Sequence, residues 1–264
     1  MKRWLIAAGV MAAVPLAACS SSPQAPSPLV PQAATSAAPP TATAQAPPPA
    51  TPQAPHTASL GADGRSRATL EVLTGTAALA IGTADFGAGG VLLRVSTPAG
   101  GPPPHLRATD VSGTGRPDQA AVVELSAPGA SQVTVTLNTA VGWRLILGGG
   151  TSRTTADLRG GQVTGIAFTA GSSVISLALP RPRGRVPVQL AGGASQFLLS
   201  LPEGVPARVT AAGGAGEVSL EGQDHLGVAG GSVFTTPGWR AGSPGFDIDA
   251  TAGASRVAVT ARSR

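Results

Sequence analysis

Five short pieces of the chain repeat one pattern: an apolar or alternating strand, a glycine-centred turn, and a second strand. They are LEVLTGTAALAI (70–81), IAFTAGSSVISLAL (166–179), VQLAGGASQFLLSL (188–201), VTAAGGAGEVSL (209–220) and IDATAGASRVAV (248–259). Apolar residues alternate in Val133–Leu137, Val218–Leu220 and Val257–Val259, as in strands buried on one face. The turn glycines Gly171, Gly193 and Gly214 are 22 and 21 residues apart; Gly231 follows after 17 and Gly253 after 22. A period near 21 predicts a stacked β architecture, in which each unit buries its apolar face against the next. A β-sandwich with evenly spaced turns accommodates the same signals. Both readings are all-β, and no segment carries a convincing amphipathic helix.

Two strands end on proline, at Leu179-Pro180 and Leu201-Pro202, which are 22 residues apart. Proline gives no hydrogen to a ladder, so these pairs mark corners of successive coils. Upstream the pattern weakens. GGPPPHLRATDVSGTGRPDQ (100–119) reads as one long loop, with strands near 91–96 and 121–125 on either side and a turn at SAPGASQ (126–132). Abundant glycine (36) and proline (25) with only 12% charged residues suits short strands and many turns rather than helices.

The segments GGASQFLLSLPEGVPARV (192–209), AGSSVISLALP (170–180) and AAGGAGEVSLEG (211–222) resemble the bacterial envelope domains called toast-rack or "putative adhesin" domains. These are best known from the extracytoplasmic-type region of LiaF-like stress-response proteins. The similarity covers about 120–264. It implies an all-β, solenoid-like stack without established catalysis, and it brings no catalytic residue to carry over.

The first nineteen residues, MKRWLIAAGVMAAVPLAAC, have the three parts of a secretory signal. Lys2 and Arg3 precede an apolar run from Trp4 to Leu16, and small residues follow. That run is shorter than the roughly 20 residues a membrane span takes. Leu16-Ala17-Ala18-Cys19 resembles the lipobox of bacterial lipoproteins, which implies a cleaved signal peptide at 1–18 and a diacylglyceryl group on Cys19. From Ser20 to about Ser59 the chain is Ser, Pro, Ala, Thr and Gln with no charged residue. Its prolines exclude helix and ladder, so 19–59 is expected to be a disordered Pro/Ala/Thr-rich linker, semi-extended as a tether. The folded domain is then 60–264.

The chain carries a formal charge of +5, and every basic residue but Lys2 is arginine. Loss of the signal leaves 5 − 2 = +3. The arginines are scattered, and the densest cluster is Arg181, Arg183 and Arg185, alternating with Pro182 and Gly184. No basic stripe with interleaved aromatics appears, which argues against nucleic acid. The arginine cluster is read as a solvated loop that can meet an anionic envelope polymer or headgroup.

Catalytic signatures are thin. His56 falls in the tether, His105 in the long loop, and Asp224-His225 in a polar turn. No G-x-S-x-G exposes a nucleophile. FDIDAT (246–251) imitates a phosphotransfer motif, yet only 13 residues follow Thr251, and Phe246 and Ile248 alternate with Asp247 and Asp249 as in a half-buried strand. Those two carboxylates would share a solvent face and could hold Ca²⁺ weakly. SGTGRPD (112–118) and LGGGTS (147–152) lack the lysine and helix of a phosphate loop and read as turns. Trp143 and Trp239 could stack on sugars, but in a domain this poor in aromatics they are expected to fill the core or its ends. The single Cys19 excludes an internal disulfide and a cysteine metal site.

The expectation is a non-catalytic, lipid-anchored envelope protein facing outside the cytoplasm. It would present a β-stack for binding, adhesion or envelope sensing, without a cofactor or metal. An envelope polymer or a membrane protein would be its partner. Two alternatives stand beside it. One is a carbohydrate-active β-helix enzyme, which needs paired carboxylates in one groove; the candidates are Glu217, Glu221, Asp224, Asp247 and Asp249. The other is a structural subunit of a membrane-associated complex.

Overall fold

Parallel strands need long crossovers, and here each crossover is another strand on the opposite side of the core. The computed structural model describes residues 53–110 and 121–262. The strands in chain order are β1 (His56–Gly61), β2 (Arg67–Val72), β3 (Thr76–Ala84), β4 (Val91–Thr97), β5 (His105–Asp110), β6 (Ala121–Ser126), β7 (Gln132–Asn138), β8 (Gly142–Leu147), β9 (Thr151–Asp157) and β10 (Gln162–Phe168). They continue as β11 (Ser172–Ala178), β12 (Arg185–Leu190), β13 (Ala194–Pro202), β14 (Ala207–Ala211), β15 (Ala215–Leu220), β16 (Gln223–Val228), β17 (Ser232–Thr235), β18 (Gly245–Ala250) and β19 (Ala254–Arg262). No helix occurs among the described residues.

Two sheets result. One has the order β1-β4-β7-β3-β9-β11-β13-β19-β15-β16, the other β17-β14-β18-β12-β10-β8-β2-β6-β5. Each of the five repeating pieces is one coil: a strand in the second sheet, a turn, and a strand in the first. The pieces β6/β7 and β8/β9 add two more of the same kind. The stacked all-β architecture read from the sequence is therefore present, and its coils face one another as two sheets across a shared core. Inward residues such as Leu70, Val135, Trp143, Ile175, Phe197 and Ile248 are almost completely buried, and Phe168 meets Phe197 edge-on at 5.9 Å.

The stack departs from sequence order at both ends. Coil β2/β3 lies between β6/β7 and β8/β9, and the last coil, β18/β19, is inserted between β12/β13 and β14/β15. Antiparallel strands close the ends: β4, β1 and β5 at one, β16 and β17 at the other. This corrects three expectations. Gly231 is no coil corner but the glycine (φ +83°) that leads into the end strand β17, which is why its 17-residue step is irregular. The 100–119 stretch contains β5 rather than one continuous loop, and its SGTGRPD portion lies outside the described residues. His56, placed in the tether by composition, opens β1.

The glycine turns explain how the coils stack so closely. In stack order from β2/β3 the turns are Leu73-Thr74-Gly75, Gly148-Gly149-Gly150, Thr169-Ala170-Gly171, Ala191-Gly192-Gly193, Thr251-Ala252-Gly253 and Ala212-Gly213-Gly214. From the second turn onward, the middle residue alternates between glycine and alanine. A Cβ on Gly192 would stand 2.2 Å from the backbone of Ala170, one on Gly149 2.1 Å from the Thr74 carbonyl oxygen, and one on Gly213 2.7 Å from Ala252. The N–H of Gly192 donates to the Phe168 carbonyl at 3.0 Å, so the turn cannot back away. At the opposite corner Leu158, Leu179 and Leu201 are buried. The Leu179 N–H donates to the Ser200 carbonyl at 3.0 Å. The two Leu-Pro pairs are thus neighbours in adjacent coils, as their spacing predicts.

Candidate functional site: an arginine-lined corner

The cleft begins as a defect in a ladder. β12 lies inside its sheet between β10 and β18, yet it carries Pro187, which has no N–H to give. Pairing with β10 starts only at Ile166–Val188, although both strands begin several residues earlier. On its far side β10 shifts register against β8 between Val163 and Gly165, and a Cβ on Gly165 would approach the Pro187 ring to 3.5 Å. The two strands part there. Between them and the corner loops at 158–161 and 179–184 opens a cleft of about 510 Å³.

Four arginines line it: Arg159, Arg181, Arg183 and Arg185. The three read from the sequence are thus brought together, and Arg159 joins them from the neighbouring coil. Their partners differ. Arg159 donates through Nε to Asp157 Oδ1 at 2.7 Å and through Nη2 to Oδ2. That hydrogen-bonded guanidinium holds the Asp157 carboxyl below its ordinary range, and Asp157 raises Arg159 in return. Arg181 donates to the backbone carbonyl of Glu203 at 3.0 Å. Arg183 is exposed and makes no ion pair among the described residues. Arg262 braces the same edge, donating to Ser200 Oγ at 3.2 Å and to the Leu179 carbonyl at 3.4 Å. The corner therefore concentrates positive charge with little to offset it, in a concave place where field lines focus.

Arg185 also faces the outer surface of the second sheet, and there the inserted coil matters. Asp247 of β18 takes two bonds from Arg208 of β14, both at 2.8 Å, and lies 4.0 Å from Arg185 of β12. The Trp239 indole covers this Arg–Asp–Arg row, 5.4 Å from the Arg185 guanidinium and 5.7 Å from that of Arg208. It reaches the sheet because residue 245 is glycine: a Cβ there would stand 3.2 Å from the indole and 2.6 Å from the Pro206 carbonyl oxygen. Trp239 comes from Thr236-Pro237-Gly238-Trp239, a tight turn with proline second and glycine third (φ +81°).

The remaining sequence candidates fall elsewhere. Asp247 and Asp249 do share the outer face of β18, but Asp247 is committed to Arg208, so the weak Ca²⁺ site is not formed by a free pair. No group of metal-binding side chains occurs among the described residues. Asp224 and His225 lie on β16 rather than in a turn. Asp224 accepts from Ser219 at 2.5 Å while His225 stacks on Phe234 at 4.5 Å, so the two serve different neighbours. Glu217 pairs with Arg256 on the first sheet, whereas Asp247 and Asp249 face out from the second. The carboxylates proposed for a glycosidase are thus divided between two sheets. Trp143 is a core residue whose Nε1 donates to the Asn138 carbonyl at 3.0 Å; Trp239 is half-exposed on the surface, against expectation. Cys19 lies outside the described residues.

Sequence reading missed Arg159, Pro187 and Arg208, and placed Trp239 in the core or at its ends. Pro187 alone left a signal, a proline inside an otherwise alternating strand. No family model and no curated protein matches the chain. Among solved structures, a crystal structure of a "putative cell adhesion protein" from Clostridium sporogenes is similar, with a TM-score of 0.57 and 17% identity over 78% of this chain and 99% of that one. At that identity the likeness is one of fold alone.

Proposed function

We propose that this protein is a non-catalytic adhesion or binding module of the bacterial cell envelope. A lipid on Cys19 holds it to the membrane outside the cytoplasm, residues 20–55 act as its tether, and the arginine corner is its contact surface for anionic polymer. The observation that carries the reading is the cleft beside Pro187, lined by four arginines, of which Arg159 is held by Asp157, Arg185 lies 4.0 Å from Asp247, and Arg181 and Arg183 make no ion pair among the described residues. The description of the similar Clostridium structure as an adhesion protein supports it.

The test is retention of the purified full-length chain on immobilised polyphosphate across a salt gradient. Charge-driven binding weakens steadily with salt. The Arg181→Ala/Arg183→Ala double variant should elute at clearly lower salt than wild type. Elution unchanged by the double variant would remove the corner from the account. Separately, Cys19→Ala should move the protein from membrane to soluble fractions, and a variant that resists alkaline washing would refute the anchor.

A further inference from the structure

Trp239 and the cleft share one residue. Arg185 lines the cleft on one side and packs on the indole on the other. The sheet-side surroundings of the ring are Gly245, Arg185 and Arg208, and the side chain is still only half-buried. The ring therefore offers its outer surface to solvent beside a cationic cleft. A partly exposed aromatic ring next to a charged pocket fits a ligand with two parts, an apolar ring face and an anionic substituent.

We infer that the ligand of the arginine corner is an acidic polysaccharide: a pyranose ring lies on Trp239 and its carboxylate or sulfate enters the cleft at Arg185. This rests on the corner being the binding surface. Two features belong together under it. Asp247 fixes Arg208 with two bonds and leaves Arg185 at 4.0 Å, so Arg185 keeps donors for a ligand. The Arg–Asp–Arg row holds the indole in place, so little side-chain freedom is lost on binding.

The experiment compares two polyanions by titration calorimetry on the full-length chain: sodium alginate, which has pyranose rings, and sodium polyphosphate, which has none. Trp239→Ala should weaken alginate about tenfold and leave polyphosphate within about twofold. Trp239→Phe, which keeps an aromatic face and checks that the turn still folds, should retain most alginate affinity. Equal losses on both probes in Trp239→Ala would mean that the indole only positions Arg185 and would overturn the inference while leaving the corner intact. So would alginate binding that ignores Trp239. Failure of the wild-type chain to bind either polyanion would overturn both the inference and the proposed function.

Discussion

Gly192 and Gly193 are adjacent, yet the stack treats them differently. Gly192→Ala would place a methyl 2.2 Å from both the carbon and the oxygen of the Ala170 carbonyl and 2.6 Å from Gly171 N. All are backbone atoms of the next coil, held by ladder bonds on both sides of the turn, so relief requires the coils to separate. Overpacking of this kind costs about 1–3 kcal/mol and sometimes more. The entropy that alanine removes from the unfolded chain offsets only about 0.4–1 kcal/mol. A net loss of about 2 kcal/mol is expected, or roughly 4–8 °C in Tm for a domain of this size. Gly193→Ala meets only the Gly253 carbonyl oxygen at 3.5 Å, an ordinary contact, and neither residue has a positive φ. Its change should stay within about 1 kcal/mol. Urea unfolding followed by fluorescence and far-UV circular dichroism reads both variants. Equal destabilisation, or a worse effect at Gly193, would refute the close stacking of coils β10/β11 and β12/β13.

Three further outcomes are expected. Asn138 is fully buried and its side-chain N–H groups donate to the Gly87 and Val91 carbonyls, both at 2.8 Å; Asn138→Ala strands both acceptors and should cost about 3 kcal/mol in urea unfolding. Because Arg159 depresses the Asp157 carboxyl, the stabilisation from this pair is present above the unfolded-state value and is lost as pH falls through the lower folded-state value. An NMR titration should place Asp157 below the ordinary aspartate range, and Arg159→Ala should move it back up. Pro187→Val supplies the missing N–H, so the β10–β12 ladder should extend toward Arg185 and narrow the cleft; salt-gradient retention on polyphosphate should fall, with new amide-exchange protection at residue 187.

The coils were legible because they are local. A strand, a three-residue turn and a strand leave their period and their alternation in one stretch of chain, and Leu179 and Leu201 sit where that period puts them. Stack order is not local. Nothing in IDATAGASRVAV says that it enters between VQLAGGASQFLLSL and VTAAGGAGEVSL, because all three have the same apolar faces and turn lengths. The alternation of Gly149, Ala170, Gly192, Ala252 and Gly213 appears only once that order is known. The site was half legible for the same reason. Arg181, Arg183 and Arg185 are close in sequence, whereas Arg159, Arg208, Asp247 and Trp239 reach them only through neighbouring coils. Pro187 stands just before the strand-turn-strand piece read from the sequence at 188–201, whereas the structure puts it inside β12, away from any sheet edge, where its missing N–H interrupts the ladder beside the cleft.

The proposed binding corner depends on β18/β19 lying beside β12/β13, since that placement brings Asp247 and Trp239 to Arg185. Gln196 and Arg256 face each other in register on β13 and β19, while Glu217 of β15 lies one strand further on, paired with Arg256. Cysteine pairs introduced in a Cys19→Ala background test this directly, because a disulfide needs Cα atoms within about 7 Å. The account predicts that Gln196→Cys/Arg256→Cys closes to a disulfide under mild oxidation with the fold retained, and that Gln196→Cys/Glu217→Cys stays reduced. Ready closure of the second pair and not the first would put the coils in sequence order and contradict the assembly of the site.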